Sequence, residues 1–208
     1  MSGRAVGVFG GTFDPVHVGH LVAAVNVRHA LELDVVLLVV ANRPWQKEGS
    51  RIVSPAEDRL AVVRAAVGDV SGVEASDLEV ARGGVSYTAD TLAALQATEP
   101  DADLVLVIGA DVAAALDTWE RMDEVMARCR LAVVNRPGAP PPAVPPGWRA
   151  DVVEIPALEV SSTDLRARVA DGRPLDYLVP VAAVREVRRR GLYASKRMDE
   201  RLPEGPEA

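Results

Sequence analysis

The hydrophobic residues of this chain fall into short continuous runs that alternate with segments of helical periodicity. Because the runs are apolar throughout, they indicate strands that are covered on both faces, as in a parallel sheet. A further segment, Val73–Val80, mixes polar and apolar residues and is predicted to be an edge strand. The runs predicted to form buried strands are Ala5–Phe9, Val35–Val40, Leu104–Ile108, Leu131–Val134 and Val152–Ile155.

Helix signals occupy the intervals between these runs. Ser54-Pro55-Ala56-Glu57 has the pattern of a capping box with proline at the first helical position. The alternation of strands and helices predicts an α/β fold: one doubly wound, Rossmann-like domain whose parallel sheet has helices on both faces. The other predicted helices are Val18–Leu31, Thr88 to Leu95, Ser161 or Ser162 to Val169, and Val181–Arg190 with Gly191 as its stop.

One proline-rich stretch, between Arg136 and Trp148, interrupts this alternation. Because strand and helix patterns resume after it, residues 137–148 are interpreted as a surface loop and not as a linker between domains. We therefore expect a single domain over residues 1–194. Residues 195–208 are polar and are predicted to form a disordered tail.

Length and charge limit the classes of partner. A chain of 208 residues can form one α/β domain with a substantial core. Its formal net charge of −7 argues against nucleic acid and membrane partners, because proteins that bind polyanions carry a basic face. A small anionic substrate needs only a few local cations. No apolar stretch reaches the ~20 residues of a membrane span, and Ala5–Phe9 is too short for a signal peptide, so a cytoplasmic location is expected.

The single cysteine, Cys129, offers no evident chemistry. It cannot form an internal disulfide, and the absence of a second thiol argues against a structural zinc site. We interpret it as a small buried apolar residue.

The turn from the first strand into the first helix is the strongest candidate for a functional site. Residues 10–20 read GGTFDPVHVGH, and ligands of open α/β sheets bind beyond such carboxyl ends of strands. Gly10 and Gly11 permit a sharp turn and a close approach of the backbone to a ligand. Gly19 leaves space for a phosphate or a base.

Two histidines stand where this helix begins. His17 and His20 can face one site, and the helix N-terminus there favours anions. Two imidazoles and helix amides form a donor set for an oxygen that gains negative charge at phosphorus. A zinc site and a helix-capping role for His17 are the alternatives, but the sequence shows neither the glutamate of HExxH nor a third ligand. For Asp14, a structural role in an Asx-type turn before Pro15 is expected.

Residues 10–20 resemble the (T/H)xGH nucleotidyltransferase superfamily, and especially the bacterial nicotinate mononucleotide adenylyltransferases. HxGH alone is a weak signal, because aminoacyl-tRNA synthetases and other nucleotidyltransferases carry relatives of it, whereas the full run is specific. Later segments match the same family in order, so that the resemblance extends from Val6 to about Tyr193. These segments are Ser86–Leu92 (SYTADTL), Gly109-Ala110-Asp111, Asn135–Gly138 (NRPG) and Ser161–Arg166 (SSTDLR).

The resemblance implies which residues bind ATP. His17 and His20 would be the catalytic residues at the α-phosphate, together with the backbone of Gly11 and Thr12. On the residues alone, Ser-Ser-Thr is equally an ordinary helix N-cap, and Asp111 can cap a helix. The full set implied to bind ATP is Gly10, Gly11, Thr12, Phe13, Gly19, Gly109, Asp111, Arg136, Ser162, Thr163 and Arg166.

A second group of residues would bind the mononucleotide. Lys47 is implied to hold its phosphate, although Gln46 stands where the family more often has histidine. Trp119 and Tyr87 with Thr88 are implied to hold the pyridine. Aromatic residues make up only 4% of the chain, and an aromatic side chain held in a loop suggests stacking on a flat ligand. The aromatic residues predicted to lie in loops beside the motifs are Phe13, Trp45, Tyr87 and Trp119.

The implied reaction joins ATP to nicotinate mononucleotide and yields nicotinic acid adenine dinucleotide and pyrophosphate. Mg²⁺ would enter with ATP, without a dedicated metal site on the protein. A phosphopantetheine adenylyltransferase, which shares the HxGH turn, and a non-catalytic nucleotide sensor are the two alternatives. The oligomeric state, including a homo-oligomer, is left open.

Overall fold

The computed structural model describes residues 3–44 and 52–194. Its centre is one six-stranded sheet in which every pair of neighbouring strands is parallel. The strands in chain order are β1 (Ala5–Gly11), β2 (Val35–Val40), β3 (Val73–Ser76), β4 (Asp103–Gly109), β5 (Arg130–Asn135) and β6 (Ala150–Glu154). Their spatial order is β3-β2-β1-β4-β5-β6, which is the Rossmann order and confirms the predicted fold class.

Eight α-helices lie among the described residues, and a 3-10 turn at Leu116–Thr118 follows the fifth. None of these helices has both the length and the apolarity of a membrane span. In chain order they are α1 (Val18–Ala30), α2 (Ala56–Val67), α3 (Leu78–Arg82), α4 (Thr88–Thr98), α5 (Ala110–Ala113), α6 (Met122–Arg128), α7 (Ser162–Ala170) and α8 (Val181–Arg189).

The core lies on both faces of the sheet because side chains alternate along each strand. In β2, Val36 and Leu38 pack in a cluster with residues of α1, α2, α7 and α8. Val35 and Val39 of the same strand pack in the opposite cluster, with residues of α4 and α6. A strand that buries both sets of side chains needs a continuously apolar sequence, which explains the runs. Cys129 is buried as predicted.

The strand order reverses between β1 and β4, and this position determines where ligands bind. Helical crossovers leave a crevice beyond the carboxyl ends of the strands at such a point. The residues that end β1 and β4 are Gly11 and Gly109. The motif turn therefore opens into the crevice of the fold.

Two local predictions were correct and four need correction. The Ser161 side chain caps α7 by accepting a hydrogen bond from the Asp164 amide, and Gly191 follows α8 with a positive φ of 62°. The strand predicted to be buried at Val152–Ile155 is the edge strand β6, in which Val153 alone is buried. Val73–Val80 is an edge strand only as far as Ser76, because Leu78 begins a helix. Ser54 does not cap α2, whose N-cap is Pro55, and Thr88 lies inside α4, whose N-cap is Tyr87. The predicted tail, residues 195–208, lies outside the described residues.

Candidate active site

Two cavities lie side by side beyond the carboxyl ends of the strands, and Phe9 and Gly109 border both. The first cavity, of about 200 Å³, is lined by Gly10, Gly11, Thr12, Pro44, Glu79, Ser86, Thr88 and Trp119 among others. The second cavity, of about 610 Å³, is lined by His17, Gly19, His20, Asp111, Arg136, Pro140 and Val160 among others. Most of the predicted site residues therefore gather around one crevice.

The glycines of the motif turn serve two purposes. A Cβ on Gly10 or Gly109 would meet no atom within 4 Å, so both leave open space at the cavities. A Cβ on Gly11 would lie 2.7 Å from the Phe13 ring, and one on Gly19 would lie 3.0 Å from the His17 ring. Gly11 and Gly19 therefore make room for side chains of the protein itself, a role that we had not predicted.

Phe13 lies in a loop as predicted, but its ring is buried in the core, so the expectation that the ring is held out to stack on a ligand is wrong. Its left-handed φ of 47° turns the chain so that the ring folds back beneath the turn. There its ring meets Phe9 and His20 edge to face, with ring centroids 5.9 and 5.0 Å apart. Only the backbone of Phe13 is left as a candidate for binding ATP.

His17 and His20 stack on each other, with ring centroids 3.8 Å apart and an angle of 31° between the ring planes. The His17 amide donates to Nδ1 of His20 at 3.2 Å. An acceptor nitrogen carries no proton, so this bond fixes the tautomer of neutral His20 with its proton on Nε2. His20 is therefore held as a hydrogen-bond donor through Nε2.

His17 is the more buried of the pair, and burial lowers its pKa to about 4. It is therefore neutral at neutral pH. Its Nδ1 is buried, and no atom of the described residues forms a hydrogen bond with it. A buried polar atom without a protein partner at the edge of a cavity is a candidate contact for a ligand or water.

The second predicted motif is fastened to the first by side chains of α7. Ser162 Oγ donates to the Pro15 carbonyl at 2.8 Å, and Arg166 Nη1 donates to the Asp14 carbonyl at 2.8 Å. Arg166 also donates to Thr163 Oγ1 at 3.2 Å. The structure thus brings the SSTxxR segment against the GTFDP turn, 147 residues apart in sequence at Ser162 and Pro15.

Three helix starts present unused amide donors. Within the part of the chain that the structure describes, no hydrogen bond involves the amides of Gly19 in α1, Thr88 and Ala89 in α4, or Ser162 and Thr163 in α7. Unpaired first-turn amides, together with the helix dipole, bind anionic groups. Thr88 lines the first cavity and Gly19 lines the second, so each cavity has such donors at its wall.

The first cavity holds the residues predicted for the mononucleotide, with one difference. Trp119 lines it, and the indole Nε1 is buried without a partner among the described residues. Thr88 lines it as well, but the Tyr87 ring does not, because the Arg121 guanidinium covers that ring at 5.7 Å from its centroid. Trp45 and Lys47 lie outside the described residues.

The wall of the first cavity contains a buried carboxyl group, Glu79, which the sequence did not single out. Thr91 Oγ1 donates to Glu79 Oε1, and Ser86 also forms a hydrogen bond with Glu79. Ser86 Oγ accepts in turn from the Asn42 amide at 2.9 Å. Burial raises the pKa of Glu79, and these hydroxyls oppose that shift. The network fixes the Ser86–Thr91 segment that carries the free amides.

The second cavity holds Asp111 and Arg136, both exposed at its edge. Asp111 is not a helix N-cap, because Gly109 takes that place in α5. The proline-rich stretch contributes residues 139–143 to the outer wall of the cavity. Asn135 anchors this stretch by donating from Nδ2 to the Pro140 carbonyl at 3.2 Å. The loop that the sequence placed on the surface is thus also part of the site.

Two polar residues, the buried Arg59 and the half-buried Tyr193, hold the motif turn in place through hydrogen bonds. The Arg59 guanidinium donates to the Thr12 carbonyl at 2.7 Å, and the Tyr193 hydroxyl donates to Asp14 Oδ1 at 2.8 Å. The contact with Tyr193 gives Asp14 a structural role, whereas the Asx-type turn before Pro15 stays a prediction. Burial, with the Asp14 carboxylate next, raises the pKa of Tyr193. Tyr193 was predicted only to pack, and Arg59 was not singled out.

Metal-binding side chains do not cluster in the described ranges: no three of His, Cys, Asp and Glu come together there as a candidate metal site. Apart from the carboxyl groups of Glu79 and Asp111, the polar groups at the cavities are mainly amide, imidazole, indole, hydroxyl and guanidinium donors. Such a set suits phosphate and carboxylate groups.

Comparisons with known proteins agree on one family. Residues 8–168 match the cytidylyltransferase-like family. A protein of Mycolicibacterium vanbaalenii named "Probable nicotinate-nucleotide adenylyltransferase" is 41% identical over 201 residues, which cover 93% of this chain and 94% of that protein. One of Streptomyces coelicolor with the same name is 45% identical over 186 residues, covering 88% and 98%.

Solved structures show the same fold. The nicotinic acid mononucleotide adenylyltransferase of Plasmodium falciparum, complexed with NaAD, superposes with a TM-score of 0.73 at 14% identity. The match covers 91% of this chain and 97% of the other. At that identity the likeness establishes the architecture alone.

Proposed function

The chain belongs to the cytidylyltransferase-like family and, within it, to the nicotinate-nucleotide adenylyltransferases, and from this premise we propose how its residues divide the reaction between them. The reaction transfers the adenylyl group of ATP to nicotinate mononucleotide and releases pyrophosphate. It is a step of NAD biosynthesis.

The meeting of the two cavities at Phe9 and Gly109 is the observation that carries this proposal. Two ligands that react with each other need adjacent sites with the reacting atoms at the junction. The small first cavity, with Trp119 and the amides of α4, suits a flat ring that carries an anion. The larger second cavity suits the adenosine of ATP, with Asp111 near the ribose and Arg136 near the base.

The mechanism is direct attack by the mononucleotide phosphate on the α-phosphorus of ATP. That phosphate is ionised at neutral pH, so the attacking oxygen needs no general base. Catalysis then depends on positioning and on stabilising the charge that develops on phosphoryl oxygens. His20 donates through Nε2 to such an oxygen, and His17 contributes as a neutral imidazole.

The remaining motif residues bind the phosphates. The backbone of Gly11 and Thr12 contacts the α-phosphate. Ser162 and Thr163, through their free amides, and Arg166 hold the pyrophosphate that departs. Lys47 binds the phosphate of the mononucleotide. This division of roles follows from two sets of hydrogen-bond donors, one on α7 and one on the motif turn. The two sets lie side by side because α7 is bonded to the turn.

Nucleotidyltransferases of this family use Mg²⁺ with ATP. We propose that the ion enters bound to the triphosphate. The hydrogen-bond donors at the cavities fit this role, because such donors contact phosphate oxygens and do not ligate a metal. When bound, Mg²⁺ neutralises phosphate charge. The cytoplasmic location, the boundary at residue 194, the exclusion of nucleic acid and the question of a homo-oligomer stay predictions of the sequence.

The specificity of the first cavity tests the proposal. Free amides at Thr88 and Ala89 are donors, and a carboxylate offers them only acceptors. A carboxamide brings its own NH₂ donor and leaves a protein donor unpaired, which costs roughly 1–3 kcal/mol. The helix dipole adds ~0.3–1 kcal/mol for a carboxylate. Since ~1.4 kcal/mol is one decade, kcat/KM should favour the acid mononucleotide by about 10-fold or more.

The measurement is pyrophosphate release with saturating ATP and three acceptors: nicotinate mononucleotide, its amide and phosphopantetheine. Equal values for acid and amide, or a preference for the amide, would contradict the assignment of the first cavity. Turnover of phosphopantetheine alone would favour the other adenylyltransferase. ATP binding without turnover of any acceptor would favour the nucleotide sensor.

A further inference from the structure

Arg59 of α2 is a charged side chain that is almost wholly buried, with 1% of its surface exposed. Its guanidinium donates to three backbone carbonyls. Nε donates to Ser54 at 2.8 Å, Nη1 to Thr12 at 2.7 Å and Nη2 to Asn42 at 3.0 Å. One side chain therefore connects three segments that are distant in sequence.

Each of these three carbonyls belongs to a segment of the site. Thr12 lies in the motif turn that leads to His17 and His20. Asn42 follows β2, and Ser54 precedes α2. The Asn42 amide donates to Ser86 Oγ at 2.9 Å, and Ser86 lines the first cavity. Arg59 therefore joins the motif turn to the wall of the first cavity through Asn42.

Arginine suits this task because its planar guanidinium presents five donors in a rigid fork. A lysine at the same place keeps the charge but has a single nitrogen that cannot reach carbonyls in three fixed directions at once. The position also explains why a cation is buried here. The donors of a buried charge must be satisfied, and carbonyls of chain segments without regular structure are available as acceptors.

We propose that Arg59 is a positioning residue that sets the spacing between the motif turn, which binds the α-phosphate, and the Asn42–Ser86 contact in the wall of the first cavity, where the mononucleotide binds. The inference rests on the proposed function, since it needs both substrates at these places. In-line attack requires reacting atoms about 3–3.5 Å apart, and a misplacement of about 1 Å can slow a reaction about 100-fold. Arg59 touches neither substrate and acts through the backbone.

Arg59→Lys is the test, with Arg64→Lys as the matched control. Arg64 lies on the same helix but is exposed and pairs with Asp77 at 2.7 Å. For Arg59→Lys we expect kcat to fall by about 100-fold and KM for the mononucleotide to rise, because the two substrates are no longer held in register. KM for ATP should stay within about 2-fold, since α1, α7 and the second cavity hold ATP without Arg59. Arg64→Lys should match the wild type in all three constants.

Amide hydrogen exchange gives a readout that does not depend on turnover. In Arg59→Lys, exchange should accelerate in peptides that contain residues 12–15 and 52–54, and should be unchanged in β5. A general loss of stability would instead accelerate exchange throughout the core. Arg59→Gln, which removes the charge but keeps a planar donor, should show the same local pattern.

Three results would overturn the proposal. The first is a kcat within about 2-fold of the wild type in folded Arg59→Lys. The second is an equal rise in KM for ATP and for the mononucleotide. The third is global unfolding of both Arg59 variants while Arg64→Lys stays folded, which would make Arg59 a general element of stability. Failure of the proposed function is separate, because it would show as an inactive wild-type enzyme before any variant is compared.

Discussion

Phe9 and Gly109 border both cavities, yet the walls on their two sides are built differently. The first cavity is enclosed by strand ends, Trp119 and the start of α4, and a hydrogen-bonded network around the buried Glu79 fixes its wall. The second cavity has about three times the volume, about 610 against 200 Å³. Its outer wall is a proline-rich loop that Asn135 anchors. The difference indicates that discrimination between ligands occurs mainly in the first cavity.

In both cavities, nevertheless, burial disfavours the charged form of an ionisable side chain. Burial lowers the pKa of His17 at the second cavity and raises that of Glu79 at the first. Both shifts favour the neutral form of the group. Free amides at helix starts then supply positive potential without a mobile counter-ion. The donors are therefore pre-oriented for anions, which lowers the reorganisation that catalysis requires.

The largest effect is expected from His20→Ala in the second cavity, where the ring lies beside Phe9 with centroids 6.1 Å apart. In the proposed mechanism this side chain donates through Nε2 to an oxygen that gains charge only in the transition state. Removal of such a donor lowers kcat by about 100- to 1000-fold, while ATP binding changes far less. Steady-state kinetics with ATP titration by calorimetry measure the two quantities. If this side chain serves binding alone, KM will rise and kcat will not fall.

His29→Ala is the matched control for that experiment. His29 is the histidine of the chain that lies at the far end of α1, where it is exposed. Its replacement should leave kcat and ATP affinity unchanged. An equal loss of activity in both variants would mean that α1 itself, and not the imidazole at its start, is responsible.

Much of the fold and of the motif chemistry was predictable because both depend on local sequence. Each predicted buried strand lies within two residues of the observed one at either end. Four of them are covered on both faces and must therefore be apolar, whereas β6 is a mostly exposed edge strand. The motif residues His17, Ser162 and Arg166 were recognisable because helix starts and glycine turns have local signatures. The structure then places them in one crevice.

The polar residues that support the site were not predictable in the same way. Glu79 is buried and Tyr193 is half-buried, and each bonds to a partner that is distant in sequence or lies in a loop. The residues next to them in sequence give no sign of these contacts. Arg59 had a signal that was available: it lies on the apolar stripe of α2 with Val62, Val63 and Ala66. A charged residue at a core position of an amphipathic helix indicates a buried side chain that bonds to several backbone groups. The prediction for Phe13 was wrong for the opposite reason, because a residue in a turn can still pack its ring into the core.

An intermediate effect is expected from Glu79→Gln in the wall of the first cavity. The substitution keeps the shape but replaces one acceptor oxygen by a donor, so that Ser86 and Thr91 no longer both donate to it. A buried donor left without its partner costs roughly 1–3 kcal/mol, which predicts a rise of about 10-fold in KM for the mononucleotide. KM for ATP should not change. Glu74→Gln, at an exposed position of β3, is the control and should match the wild type in both constants.

That variant also sharpens the contrast between the cavities. If the network around Glu79 fixes the amides of α4, the preference for acid over amide should decrease along with affinity. Equal rises in KM for ATP and for the mononucleotide would show that the two cavities respond as one unit. The assay is kcat/KM for both mononucleotides with each variant.

The smallest effect is expected in the second cavity, from Asn135→Ala. Asn135 is buried and donates to the Pro140 carbonyl at 3.2 Å, and the loop that it anchors forms the outer wall of the cavity. A neutral hydrogen bond contributes about 0.5–1.5 kcal/mol, which corresponds to a rise of about 2- to 10-fold in KM for ATP. The low end of that range is expected, because prolines restrict the loop even without its anchor. KM for the mononucleotide and kcat should stay within about 2-fold.

Asn26→Ala is the control for this prediction. The Asn26 side-chain amide also donates to a backbone carbonyl, that of Val22 at 2.8 Å, but Asn26 lies within α1 and lines neither cavity. A rise in KM for the mononucleotide that equals the rise for ATP would contradict the separation of the two walls. An unchanged KM for ATP would mean that the proline-rich loop covers the cavity without contributing to the affinity for the nucleotide.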